Sequence, residues 1–194
     1  QSGNFTMGPR VAEFERRFAE FMGSRYAVMS NSGSSANLLM VGSLFFVKDD
    51  PLRPGDEVIV PAVSWSTTYY PLQQYGLRLK FVDIDLETLN YDLEALASAV
   101  TDQTRLIMAV NLLGNPNDFD RIGAVIGDRR IRLIEDNCES MGAELGGRKT
   151  GTFGVMGSFS SFFSHHISTM EGGLTVTDDE ELYHVMLSLR SHGW

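Results

Sequence analysis

Residues 26–40 read YAVMSNSGSSANLLM. Tyr26 to Met29 form a short apolar run of strand type, and Ser34 to Phe46 (SSANLLMVGSLFF) read as a helix. A turn containing Gly33 links them. A strand that passes through a small-residue turn straight into a helix is the unit of an α/β fold, so this stretch decides the class. It also makes a site: in NSGSSAN (31–37), backbone N–H groups and Ser hydroxyls stand at the positive end of a helix dipole, where they can hold a phosphate without a basic residue. The plainer reading is a Ser N-cap beside a flexible turn.

The same alternation runs outward in both directions. Upstream, Pro9, Val11, Phe14, Phe18 and Phe21 have helical spacing, and Gly23 is placed to end that helix. Downstream, strands are expected at Glu57–Val60, Lys80–Val82, Leu106–Val110, Ile131–Ile134 and Leu174–Thr177. Helices are expected at Thr67–Gln74, Leu93–Val100, Phe119–Ile126 and Glu180–Ser188. Short apolar strands separated by helices predict a mainly parallel sheet covered on both faces. No repeat or linker divides the chain, so one large domain is expected. Ligands gather at the carboxyl ends of strands in such sheets, and the polar clusters 31–35, 64–68, 111–115 and 135–139 fall there.

Composition narrows the function. The 194 residues are 43% hydrophobic, with 16 Lys plus Arg against 25 Asp plus Glu, a net charge of −9. No basic block interrupts that acidic background, so a nucleic-acid partner is not expected. No apolar run is long enough for a membrane span, and QSGNFTMG at the start has no signal-peptide pattern. Cys138 is the single cysteine, which suits a reducing, cytoplasmic location and offers no CxxC metal pair, so no metal is expected. The first residue is Gln and the last, Trp194, follows a helical pattern directly, so both ends read as cut.

Three further stretches carry chemistry. IRLIEDNCES (131–140) ends an apolar strand in carboxylates, one of which can pair with a protonated ring nitrogen; an ordinary charged loop is the plainer reading. VPAVSWSTTYYPLQQYG (60–76) sets Trp65 just past a strand end, where an indole can cover a flat ring or simply pack. SHHISTMEGG (164–173) sets two histidines among small and polar residues. Neither the P-loop pattern nor GxGxxG occurs.

These pieces, with GPRVAEFERRFAEFMG (8–23), SNSGSSANLL (30–39), GDEVIVPAVSWSTTYYP (55–71), EDNCESMGA (135–143) and SFSSFFSHHISTMEGG (158–173), run in order through nearly the whole chain. Together they resemble the sugar-nucleotide aminotransferases of the DegT/DnrJ/EryC1/StrS family. The resemblance implies the aspartate aminotransferase fold (fold type I) and pyridoxal 5′-phosphate or pyridoxamine 5′-phosphate as cofactor. It implies that residues 1–194 are the N-terminal part and large cofactor-binding domain of a chain about twice as long, without the small C-terminal domain, and that the protein is a homodimer with shared active sites.

Typical members carry a Lys six residues before the Glu of Glu-Gly-Gly, and that Lys bonds covalently to the cofactor. Counting back from Glu171 gives His165, with His166 as the adjacent alternative. Imidazole cannot form an imine but can take and return protons near neutral pH. The family branch that resembles this exchange removes the C3 hydroxyl of a nucleotide-linked 4-keto-6-deoxy sugar, GDP-4-keto-6-deoxy-D-mannose, on the route to colitose and O-antigen, with glutamate as amino donor. VNLLGNPNDFD (110–120) resembles that branch as well. A second branch, CDP-linked 3-dehydrases with an iron-sulfur cluster, resembles it less around the His pair.

By the resemblance, Gly33, Ser34 and Ser160 are phosphate ligands, Trp65 stacks on the ring, Asp136 pairs with the pyridine nitrogen, and Glu139 lies near the ring hydroxyl where many members have Gln. His165 is the catalytic base. His184 reads as a solvated helix residue, and His192 is given no role. A nucleotide-sugar 4-aminotransferase and a noncatalytic relic of the fold remain as alternatives.

Overall fold

The computed structural model describes residues 7–193. Residues 1–6 and Trp194, which the sequence reading sets at cut ends, lie outside the described residues. The elements run α1 (Pro9–Met22), β1 (Tyr26–Ser30), α2 (Gly33–Ser43), β2 (Glu57–Pro61), α3 (Ser66–Gln74), β3 (Arg78–Val82), α4 (Leu93–Ala99), β4 (Thr104–Val110), α5 (Phe119–Ile126), β5 (Arg132–Asp136), a small β6–β7 hairpin (Glu144–Leu145 and Arg148–Lys149), β8 (Met156–Ser160), β9 (Gly173–Thr177) and α6 (Glu180–Arg190). Seven strands form one sheet in the order β1-β9-β8-β5-β4-β2-β3. From β8 to β3 the pairing is parallel, and β9 lies antiparallel between β1 and β8. The expected mainly parallel α/β sheet is present, with antiparallel pairing confined to one end.

Local chemistry sets the helix ends. Pro9 begins α1 with a φ already suited to a helix, and Gly23 ends it at φ 77°, donating its N–H to Ala19 and Glu20 carbonyls. Asp92, Asp118 and Asp179 cap α4, α5 and α6 by accepting first-turn N–H groups. α2 stops at Ser43, short of the expected Phe46, because Leu44, Phe45 and Phe46 donate to carbonyls three residues back. That tighter winding unrolls the chain toward solvent.

Three apolar clusters fill the layers. One lies between the sheet and α2, α3 and α6 and includes Met40, Leu44, Val58, Leu106 and Ile134. A second, with Ile59, Leu96, Ile107 and Ile122, lies under α4 and α5. In the third, Phe18 of α1 meets Phe159 of β8 edge to face at a centroid distance of 5.3 Å. Phe21, expected on the buried stripe of α1, is exposed instead, with Lys149 Nζ 5.1 Å from its ring centre. The inward face of α1 runs through Phe18, Ala19 and Met22, leaving Phe21 outside that arc.

β8 and the small hairpin are absent from the sequence reading. Met-Gly-Ser-Phe-Ser has little strand propensity, yet all five residues of β8 are buried. Gly157 is needed there: a Cβ would lie 2.2 Å from the Gly151 carbonyl oxygen. β5 is also shifted from expectation, ending at Asp136 and not Ile134. Glu135 and Asp136 are therefore strand residues whose side chains point to opposite faces.

Candidate active site

The strand ends β2, β4, β5 and β8 open onto a cavity of about 500 Å³. Gly33, Ser34, Trp65, Asp136, Glu139, Ser160 and His165 all line it, although they are spread over 133 positions of sequence. His166 is exposed and is not part of the wall, so the structure brings only the first histidine of the pair to the cavity.

One end of the cavity is the start of α2. Ser32 caps the helix, its Oγ accepting the Ser35 N–H at 3.1 Å while its carbonyl accepts the Ala36 N–H at 2.9 Å. That leaves the first N–H groups of the helix, those of Gly33 and Ser34, facing the open end of the dipole. Gly33 has no room for a side chain, since a Cβ would stand 2.6 Å from Ser160 Cβ and 2.9 Å from Cys138 Sγ. The close approach of α2 to the ends of β8 and β5 is thus a consequence of that glycine.

The floor is Asp136, which is 5% exposed. Its Oδ2 accepts hydrogen bonds from Asn37 Nδ2 and Thr68 Oγ1, each at 2.8 Å, and its Oδ1 accepts the Cys138 N–H at 3.1 Å. Every partner donates, the arrangement suited to a carboxylate. Beside it, burial and the Asp136 carboxylate push the Cys138 thiol well above its ordinary range, which disfavours the nucleophilic thiolate. Glu135, on the opposite face, is spent on structure: it accepts the N–H groups of Gly151 at 2.6 Å and Gly154 at 2.7 Å and the Asn111 amide at 3.1 Å. Burial raises its carboxyl pKa, and those hydrogen bonds oppose the rise.

The rim is aromatic and acidic. Trp65, the N-cap of α3, is 71% exposed. Glu139 accepts the Leu113 N–H at 3.3 Å, which steadies a residue in the left-handed region at φ 51°. His165 lies on the loop joining β8 to β9, its N–H donating to the Phe162 carbonyl at 3.0 Å and its ring 6.2 Å from the Phe162 ring centre. The base of that loop is closed by the Ser161 and Thr169 hydroxyls, 2.7 Å apart, and by the Thr169 N–H donating to the Ser161 carbonyl. Among the described residues the cavity wall holds three carboxylates, Asp136, Glu139 and Glu171, and no Lys or Arg.

Sequence reasoning missed Asn37, Ser158 and Glu171. An amide side chain just ahead of the apolar run 38–41 (LLMV) was the available signal for Asn37. Thr68 falls inside the polar cluster 64–68, but nothing local indicates that it faces a residue 68 positions away.

The profile of the DegT/DnrJ/EryC1/StrS aminotransferase family matches residues 1–194. The chain is 66% identical over 190 residues to the GDP-4-keto-6-deoxy-D-mannose 3-dehydratase of Escherichia coli O55:H7, covering 98% of this chain and 49% of that protein. It is 63% identical over 193 residues to the protein of the same name from Yersinia pseudotuberculosis, covering 100% and 49% respectively. A crystal structure of GDP-4-keto-6-deoxymannose-3-dehydratase with a trapped PLP-glutamate geminal diamine matches with a TM-score of 0.98 at 65% identity, over 100% of this chain and 50% of that one. The chain spans about half the length of the curated relatives it matches.

Proposed function

The chain belongs to the DegT/DnrJ/EryC1/StrS aminotransferase family, and on that premise we propose that it is the cofactor-binding part of a 3-dehydratase that uses pyridoxal or pyridoxamine phosphate. Its substrate is a nucleotide-linked 4-keto-6-deoxy sugar, GDP-4-keto-6-deoxy-D-mannose, and glutamate is the amino donor. The relatives in E. coli and Yersinia bear the name of this activity, and the matched crystal structure carries a PLP-glutamate adduct. The observation that carries the proposal is His165. An imidazole lines the same cavity as the α2 N-terminus and Asp136, and the family resemblance sets it where typical members carry lysine.

The residues present fit the cofactor. The start of α2, held close to β8 by Gly33, offers the Gly33 and Ser34 N–H groups to a phosphate, with the Ser160 hydroxyl beside them. Asp136 would accept a hydrogen from the ring nitrogen, Trp65 would cover the ring face, and Glu139 would border the ring hydroxyl. When bound, pyridoxamine phosphate supplies an amine that condenses with a sugar ketone and a conjugated ring that accepts electrons. His165 would take a proton from the carbon bearing that amine and return one to the departing C3 hydroxyl. Because imidazole makes no imine, His165 does not compete with the amine for the sugar.

The remaining half of the longer protein and a second subunit complete the site. The absence of Lys and Arg from the cavity wall among the described residues supports this, because a sugar diphosphate needs cations. Exposed Trp65, Leu113, Phe163 and Met170 on the strand-end and loop segments support a homodimer. Among the described residues no helix is long and apolar enough to cross a membrane. The free thiol of Cys138 supports a cytoplasmic location.

The test uses the full-length protein. Loaded with pyridoxal phosphate and glutamate, then given GDP-4-keto-6-deoxymannose, it releases ammonia and a 3-deoxy sugar identified by mass and NMR. A stable 4-amino sugar would make it an aminotransferase, and cofactor binding with no turnover would make it a relic.

A further inference from the structure

The Asp136 carboxylate is held by three different parts of the fold. Asn37 comes from α2, Thr68 from α3, and the third donor is the backbone beyond β5. Both side-chain donors converge on Oδ2, which fills that oxygen. Oδ1 takes the Cys138 N–H, with the Cys138 thiol beside the carboxylate, and it receives neither of the two donors that converge on Oδ2.

The orientation of each donor is itself fixed from behind. Ser158 Oγ, 2.5 Å from Asn37 Oδ1, donates to it, so the amide must turn its NH₂ toward Asp136. The same NH₂ also reaches the Thr67 carbonyl at 3.2 Å. Thr68 gives its only hydroxyl hydrogen to Asp136, so the Ser64 hydroxyl 2.8 Å away donates to Thr68. Asn37, Thr68 and Ser158 are all fully buried, where an alternative arrangement leaves a polar group without a partner. A buried carboxylate with one filled oxygen and one directed oxygen is more sharply aimed than its own freely rotating side chain allows.

Resting on the cofactor reading above, we infer that Asn37 and Thr68 are positioning residues: by filling Oδ2 they aim Oδ1 of Asp136 at the cofactor's ring nitrogen and so set how firmly that nitrogen keeps its proton. Asn37 does not line the cavity, and Thr68, which does, gives its hydroxyl hydrogen to Asp136. They act through Asp136.

The test is a pH titration of the full-length protein loaded with pyridoxal phosphate labelled with ¹⁵N in the ring, the nitrogen chemical shift reporting its protonation. Thr68→Val keeps the shape and deletes the donor. The expected result is a fall of about one pH unit in the midpoint for ring-nitrogen deprotonation, a roughly tenfold change in proton affinity. A roughly tenfold or greater loss of kcat, with the sugar KM unchanged, accompanies it. Thr68→Ser restores both. If Thr68→Val does not fold, Asn37→Ala removes the other donor and carries the same expectation.

A folded variant that binds cofactor with the wild-type midpoint overturns the inference, as does failure of the serine variant to rescue. If the wild type binds cofactor with a protonated ring nitrogen but yields no 3-deoxy sugar, the reaction assignment fails while the midpoint shift still judges the positioning role. Wild type that binds no pyridoxal phosphate overturns both.

Discussion

At the scale of single residues, the difference between lysine and histidine at position 165 is one of bonding capacity. A primary amine condenses with an aldehyde and an imidazole does not, while either can carry a proton. His165→Lys in the full-length protein should therefore capture pyridoxal phosphate covalently, and borohydride reduction followed by intact mass measurement should show the added cofactor mass. Wild type treated in the same way should show none. A lysine variant without the adduct would mean that position 165 does not face the cofactor aldehyde. Glu135 and Asp136 make a related point: neighbouring carboxylates take unrelated tasks because strand alternation sends one to the Gly151–Gly154 backbone and the other to the cavity.

At the scale of elements, the first turn of α2 is the most constrained part of the site. Its helix start is pressed against β8 and the end of β5 at a separation only glycine permits. Gly33→Ala should push that turn away from Ser160 and Cys138, costing about 1–3 kcal/mol of stability by overpacking. Affinity for pyridoxal phosphate should fall by roughly tenfold or more, because the N–H groups move with the turn. Urea unfolding and a cofactor absorbance titration measure the two effects. An alanine variant with unchanged affinity would show that the α2 start does not bind the phosphate. The pattern of periodicity was sufficient to read α1, α2 and the strands β1 to β5 and β9, since each carries an apolar run with breakers at its ends. It was insufficient for β8, because Gly157 is there to let Gly151 approach, Ser158 donates to Asn37 and Ser160 accepts the Phe162 N–H, which leaves only Met156 and Phe159 as a hydrophobic signal.

At the scale of the whole molecule, the buried polar groups under the sheet's carboxyl edge tie pH to global stability. Burial raises the Glu135 pKa in the folded state, so the native protein binds its proton more tightly than the unfolded chain does. Its contribution to stability is therefore fully present below the ordinary carboxyl value near 4.5 and declines as pH rises from there through the raised folded value. Asp50 has the opposite sign: Arg105 at 2.6 Å lowers its pKa, and that contribution is lost as pH falls below about 3.8. Being a partly exposed surface pair, it is worth at most about 1 kcal/mol. Glu135→Gln should flatten the decline of unfolding free energy above pH 4.5 by up to about 1.4 kcal/mol per pH unit, while lowering stability overall because one amide hydrogen then faces backbone N–H groups. Urea midpoints measured from pH 4 to pH 8 check this, and an unchanged slope would remove Glu135 from the account.

The sequence by itself determined the class of fold, the order of most elements and the strand ends at which polar residues collect, because apolar periodicity and turn chemistry are local properties. Through the family resemblance it also marked His165, six residues before Glu171, as an imidazole where typical members carry lysine. Tertiary structure alone decided that Glu135 is spent on the Gly151 and Gly154 backbone and that Asn37 and Thr68 grip the Asp136 carboxylate. Those choices depend on the direction of side chains and on contacts between residues up to 99 positions apart, which packing of the layers creates and no local pattern encodes.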